Sequence, residues 1–161
     1  RNYGNSRALL VILIDVLKAV LACWLGHIMF APYGYALEGR VLAGVAVMIG
    51  HDFPALQGFR GGKGILSGLF VALVADWRIA LILLAVFAIA YFATRYVSLG
   101  SVLGAAAFSL CFALFHSDSL FVMVSGIVAG GLVIFMHRSN INRLIHGNER
   151  KTDLFKKGTN S

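Results

Sequence analysis

Charge is what this sequence has least of: 13% of its 161 residues are Asp, Glu, Lys or Arg, while 59% are hydrophobic. An average soluble domain is about 45 to 50% apolar, so a soluble core explains the balance badly. Several runs approach the roughly 20 apolar residues that carry a helix across a bilayer, and the chain reads as an all-α, polytopic transmembrane helix bundle. Cysteine is nearly absent. Cys23 and Cys111 each lie inside an apolar run and outside any CxxC pair, which points to small buried side chains rather than a disulfide or a metal site, and leaves the redox compartment open. Metal ligands in register are lacking too. There is no HExxH and no His/Cys cluster, and His27, His116 and His146 have no partner at ligand-like spacing. No serine sits in a hydrolase elbow, and no internal repeat is found. The first residue is Arg1 rather than Met, next to a polar segment instead of a signal peptide, so a preceding piece is expected to be missing.

What is present is six apolar runs, over about 8–30, 41–56, 65–75, 79–94, 97–115 and 120–136. The third is too short to cross fully and is expected as a half-span packed inside the protein, where neighbouring helices satisfy irregular backbone. Turn chemistry separates the runs: "APYGYALEG" at 31–39, "ADWR" at 75–78 and "HSDS" at 116–119. Beyond Met136 the chain becomes a polar, basic tail over 137–161, in which Ile141, Leu144 and Ile145 share a helical face suited to the membrane surface. "GSVLG" at 100–104 and "GIVAG" at 126–130 fit small-xxx-small helix packing.

With the runs alternated across the membrane, and the short third run counted as a crossing, Arg40 and Arg78 fall on one side and Lys18 within a span. Every other Lys and Arg falls on the opposite side, which the positive-inside rule makes cytoplasmic. The net charge of +7 therefore needs no nucleic acid, because topology and anionic headgroups account for a basic face that shows no base-stacking interleave of basic and aromatic residues.

Three polar clusters converge on that face. Asp15 and Lys18 lie three residues apart on one helical face inside a span, where ionisable groups pair and turn inward; a structural pair and a substrate-contacting pair both fit. The stretch "GHDFPALQGFRGGKG" at 50–64 is rich in glycine, and successive amides with Lys63 can nest an anion. It is not a Walker A loop: three residues rather than four precede its Gly-Lys pair, and Gly64 stands where Ser or Thr is required. The third cluster, "HRSNINRLIHGNE" at 137–149, sets His137, Arg138, Asn140 and Arg143 within two helical turns, mixing a group that titrates near neutrality with amide and guanidinium donors.

Together these segments resemble the bacterial acyl-phosphate:glycerol-3-phosphate acyltransferase family, PlsY, over essentially the whole chain. The family's second cytoplasmic motif resembles "GHDFPALQGFRGGKGILS" at 50–67, and its third resembles 137–149, with His137, Arg138, Asn140, Ile141, Arg143, Leu144, Gly147 and Glu149 matching. "IDVLKA" at 14–19 and "RYVSLGS" at 95–101 look like further family segments. Of the first motif, a Ser-Gly-Asn stretch ending in Arg, only Arg1 has a match, and the first membrane helix would be missing with it. Ala19 stands for the family's usual Gly, Arg60 for a common Lys, and Ile-Leu-Ser at 65–67 for a Val-Ala-Thr type.

The resemblance implies a bundle of about seven helices, of which about six are here and one is short, in a bacterial inner membrane with motif loops and tail cytoplasmic. It implies transfer of a fatty acyl group from acyl phosphate to the 1-hydroxyl of glycerol 3-phosphate, with no cofactor and no metal. Acyl phosphate is already activated, so positioning and charge stabilisation suffice without a covalent nucleophile. On that reading His137 is the base or the hydrogen-bond partner of the attacking hydroxyl, with a substrate phosphate as the alternative proton acceptor, Asn140 orients substrate, and Lys63 with Gly61, Gly62 and Gly64 holds the acyl phosphate. Arg1 and Arg143 hold glycerol 3-phosphate, Arg60, Ser67 and Arg138 add phosphate contacts, and Asp15, Lys18, His51 and Glu149 support the site. Expected partners are the two substrates, membrane lipid and the soluble enzyme that makes acyl phosphate. A chain without the first motif is expected to lack part of the site. The alternative is a small-anion or phosphate-compound transporter, with Asp15 and Lys18 lining its pathway.

Overall fold

The structure, a computed structural model, describes residues 5–55, 58 and 61–152. Seven helices follow in order: α1 (Asn5–Phe30), α2 (Ala36–Asp52), α3 (Ile65–Ala75), α4 (Trp77–Thr94), α5 (Val97–Phe115), α6 (Leu120–Met136) and α7 (Arg138–Ile145), with a 3-10 turn at Ala31–Tyr33 after α1. No strand occurs among the described residues. Each break has a local cause. Pro32 sits in the first turn after α1, where the chain leaves the α-helical path. α2 stops at Asp52 because Phe53 precedes Pro54, and ring sterics push the residue before a proline out of the helical region. The Asp76 carboxylate caps α4 by accepting the Arg78 N–H at 3.0 Å, and the Ser119 hydroxyl caps α6 by accepting from Val122.

α1 packs along α2, α4 along α5, and α5 along α6, while α3 touches α1, α2, α4, α5 and α6. The short apolar helix packs among its neighbours, with Ser67, Gly68, Val71 and Ala72 buried, and runs from the Lys63–Asn140 contact at one end to the Asp76–His116 contact at the other. The core joins Met48, Val71, Ile79, Phe112 and Val122 from five helices. Large apolar side chains such as Leu9, Met29, Ile89, Phe92 and Leu120 stay exposed around the outside, where a bilayer would cover them. Small residues set the closest approaches. A Cβ on Gly26 would run into the Gly39 carbonyl, one on Gly126 into Phe112, and one on Gly130 into Ser109. The 100–104 pair departs from the packing expectation: a Cβ on Gly100 would meet Phe87 at 2.8 Å, whereas one on Gly104 would meet nothing within 4 Å.

Runs 65–75, 97–115 and 120–136 are reproduced residue for residue, and α2 is the main difference. It starts at Ala36 rather than 41 because Glu38 and Arg40 find hydrogen-bond partners on neighbouring segments instead of marking a loop. Arg40 donates to His27 Nδ1 (3.0 Å) and the Val74 carbonyl (3.2 Å), and Glu38 accepts from the Ser119 hydroxyl (2.9 Å). Three helices are long and apolar enough to cross a membrane, covering Leu9–Tyr33, Trp77–Thr94 and Val97–Phe115, and α6 with α7 makes a fourth if their 58° bend counts as one broken span. α2 and α3 fall short by length, at 17 and 11 residues.

Candidate active site

α2 ends and α3 begins at one end of the bundle, beside the α6–α7 bend. The loop between them folds back on α2: the Gly61 N–H donates to the Asp52 carbonyl and the Gly62 N–H to the His51 carbonyl, both at 3.2 Å. Those two amides are therefore spent inside the protein, which corrects their expected place in an anion nest. Their glycines instead permit contact, since a Cβ on Gly61 would strike the His51 carbonyl and one on Gly62 the His51 ring. Gly64 adopts φ 67°, a left-handed conformation, directly above the Asp52 carboxylate. The anion donors left to this segment are the Lys63 side chain and the unpaired amides of the first turn of α3.

Lys63 Nζ donates to Asn140 Oδ1 at 2.5 Å, Asn140 Nδ2 donates to Glu149 Oε1 at 2.8 Å, and Arg143 Nε donates to Glu149 Oε2 at 2.6 Å. The chain reaches Glu149 by a tight reversal after α7, where Gly147 takes φ 70° and the Asn148 N–H returns to the Arg143 carbonyl. Burial alone would raise the Glu149 pKa, but hydrogen bonds from Asn140 and Arg143 outweigh it and hold the carboxyl below its usual range. His137 is buried at the bend, and its Nδ1 lies 2.8 Å from the Val133 carbonyl, so Nδ1–H donates and Nε2 carries the acceptor lone pair. Burial lowers the His137 pKa, the Lys63 charge adds to this, and the Val133 bond opposes it; the imidazole is neutral near pH 7.

Lys63, His137, Asn140 and Glu149 share a cavity of about 430 Å³ with Ser98, Ser101, Phe87, Arg150 and Thr152. Below it runs a second, apolar cavity of about 260 Å³ between α3, α4, α5 and α6, and Ile65, Phe87 and Ser101 line both. A strap closes the rim: the Thr152 N–H donates to the Arg95 carbonyl and the Tyr91 hydroxyl donates to the Thr152 carbonyl, each at 2.9 Å.

Other expected site residues lie elsewhere. Ser67 is buried and lines neither cavity. Arg138 is exposed, donates to the Phe135 carbonyl and stacks on the Phe135 ring, outside the pocket. Arg143 reaches the site only through Glu149. Asp15, Lys18 and His51 form a cluster of their own, with Lys18 Nζ 2.6 Å from Asp15 Oδ1 and 2.9 Å from His51 Nδ1, and they meet the loop where His51 lies against Gly62. Arg1 and Arg60 fall outside the described residues. The sequence reading missed Phe87, Ser98 and Ser101, which line the pocket. Ser98 and Ser101 had a usable signal in their i, i+3 spacing at the start of α5; Phe87 had none.

A polar pocket of Lys, His, Asn and Glu beside an apolar slot, within a helical bundle exposing apolar flanks, is the arrangement of an integral membrane protein that can hold a molecule with a polar head and an apolar tail. The sequence model of the Glycerol-3-phosphate acyltransferase family matches residues 1–147, and the chain belongs to that family. It is 41% identical over 151 residues to a glycerol-3-phosphate acyltransferase of Finegoldia magna, covering 94% of this chain and 74% of that one. It is 34% identical to that of Gloeobacter violaceus, covering 94% and 73%. Among solved structures it is similar to PlsY, an integral membrane glycerol 3-phosphate acyltransferase. The glycerol 3-phosphate form gives a TM-score of 0.79 at 30% identity, covering 95% of this chain and 76% of that one. The lysophosphatidic acid form gives 0.77 at 31%, covering 93% and 74%.

Proposed function

We propose that the chain moves a fatty acyl group from acyl phosphate to the 1-hydroxyl of glycerol 3-phosphate, giving lysophosphatidic acid and phosphate. The observation that carries this reading is a polar pocket holding Lys63 and Arg150 beside an apolar slot, with Ile65, Phe87 and Ser101 lining both, which suits a donor with a charged head and an acyl tail. Lys63 and the first-turn amides of α3 face the phosphate of the donor. Asn140 orients Lys63, because its side-chain carbonyl and amide are committed to Lys63 and Glu149. The hydroxyl oxygen of the acceptor bonds to the acyl carbon, the bond from that carbon to the phosphate oxygen breaks, and the hydroxyl proton passes to His137 Nε2. Arg1 is assigned to the acceptor phosphate, and Arg143, which bonds Glu149 and does not line the pocket, to holding that carboxylate. Asp15, Lys18 and His51 brace the loop: mutual pairing favours this over a permeation pathway.

The positive-inside asymmetry supports a multi-pass inner-membrane protein with this pocket facing the cytoplasm, where a soluble enzyme would supply acyl phosphate. The test offers acyl phosphate, acyl-CoA and acyl carrier protein donors side by side to purified full-length protein. Turnover with acyl phosphate is the expected result. Turnover only with a thioester overturns the donor, and uptake of phosphate compounds into vesicles without chemical change overturns the enzyme.

A further inference from the structure

We propose that Gly104 sets how deep the apolar slot runs, and with it the acyl chain length that the site accepts; this rests on the acyl chain occupying that slot.

Five glycines line the cavity, and four are explained by packing. A Cβ would meet Asp52 at Gly64, Met48 at Gly68, Phe87 at Gly100 and Ser109 at Gly130. Gly104 alone of the five has nothing within 4 Å of the place a Cβ would take. Its missing side chain is therefore not filled by a neighbouring helix; it is part of the cavity. Position along α5 gives the depth. Ser101 belongs to both the polar pocket and the slot, Gly104 lies roughly 4.5 Å further along the axis at 1.5 Å per residue, and Phe108 lies about one turn beyond. A side chain at 104 would thus obstruct the slot below the reacting head and above its inner end. Short tails would still seat, while long tails would lose the inner part. Hydrophobic pockets discriminate by size in this way, typically by 10-fold or somewhat more for each mismatched group.

The experiment compares kcat/KM for short, medium and long saturated acyl phosphates in full-length wild type, Gly104→Ala, Gly104→Leu and Gly131→Leu. Gly131 also has open space around it but is exposed on α6 and lines neither cavity, so it controls for helix propensity and insertion. In Gly104→Leu the long donor is expected to fall at least about 10-fold relative to the short donor, with Gly104→Ala intermediate and Gly131→Leu keeping the wild-type profile. Should Gly104→Leu fail to fold, the Ala variant decides by the same ratio. An unchanged profile in an active Gly104 variant, or an equal shift in Gly131→Leu, removes the role of Gly104 and leaves the enzyme reading intact. A wild type silent with every acyl phosphate removes that reading and this one with it.

Discussion

Lys63 takes its direction from an amide 77 residues further along the chain. Removing the charge and removing its support should therefore look different. Lys63→Ala is expected to lower kcat/KM about 10²-fold or more, as loss of a charge-stabilising donor does in other acyl transfers. Asn140→Ala leaves the ammonium in place but free to swing toward Glu149, and a misplacement of about 1 Å can cost about 10²-fold. Its loss should fall mainly on kcat, which steady-state kinetics separates from KM. As the proposed base, His137 sets the acid limb. Its folded pKa lies below 6.5, so the imidazole stays neutral at pH values where a free imidazole is half protonated, and kcat/KM should decline only below pH 6.5. The stability sign is the same: above about 6.5 both states are neutral, and as pH falls toward the folded value the unfolded chain binds the proton first, so stability is lost. A pH titration of unfolding should show a smaller loss in His137→Gln than in wild type. The charged members of the site were legible in the sequence because polar side chains beside apolar runs stand out. Phe87 was not, since only packing between α4 and α5 reveals which apolar residue faces a cavity.

At the scale of elements, the α1–α2 pair supports the loop, for α2 ends at the two carbonyls that accept from Gly61 and Gly62. Gly26→Ala would force α1 and α2 apart at the Gly39 carbonyl, and overpacking of this kind costs about 1–3 kcal/mol. Thermal unfolding in detergent should show a clear drop in midpoint for Gly26→Ala and little change for Gly131→Ala, where a Cβ meets nothing within 4 Å. Helix bounds were readable wherever an apolar run ended in polar residues, as at 97–115 and 120–136. They failed at α2 because a charge inside a helix and a charge in a loop look alike in sequence. Only the pairing of Arg40 with His27 and of Glu38 with Ser119 tells them apart.

At the scale of the whole molecule, the proposed orientation puts 116–119 and 148 on opposite sides of the membrane. Cys23 and Cys111 are buried, so they give a low background for an impermeant thiol reagent. Asp118→Cys should label in right-side-out vesicles and Asn148→Cys only in inside-out ones; the reverse pattern would invert the topology. The link between Lys63 and Asn140 also has a consequence in time. Ribosomes add about 5–20 residues per second, so Lys63 is synthesised roughly 4 to 15 s before the side chain that orients it. During that interval a nascent chain completes α4, α5 and α6 and still lacks Asn140, so on the proposed mechanism catalytic competence arrives only with α7 and the strap behind it. Quality control that cuts the chain at the α6–α7 bend would leave an inserted bundle that is silent.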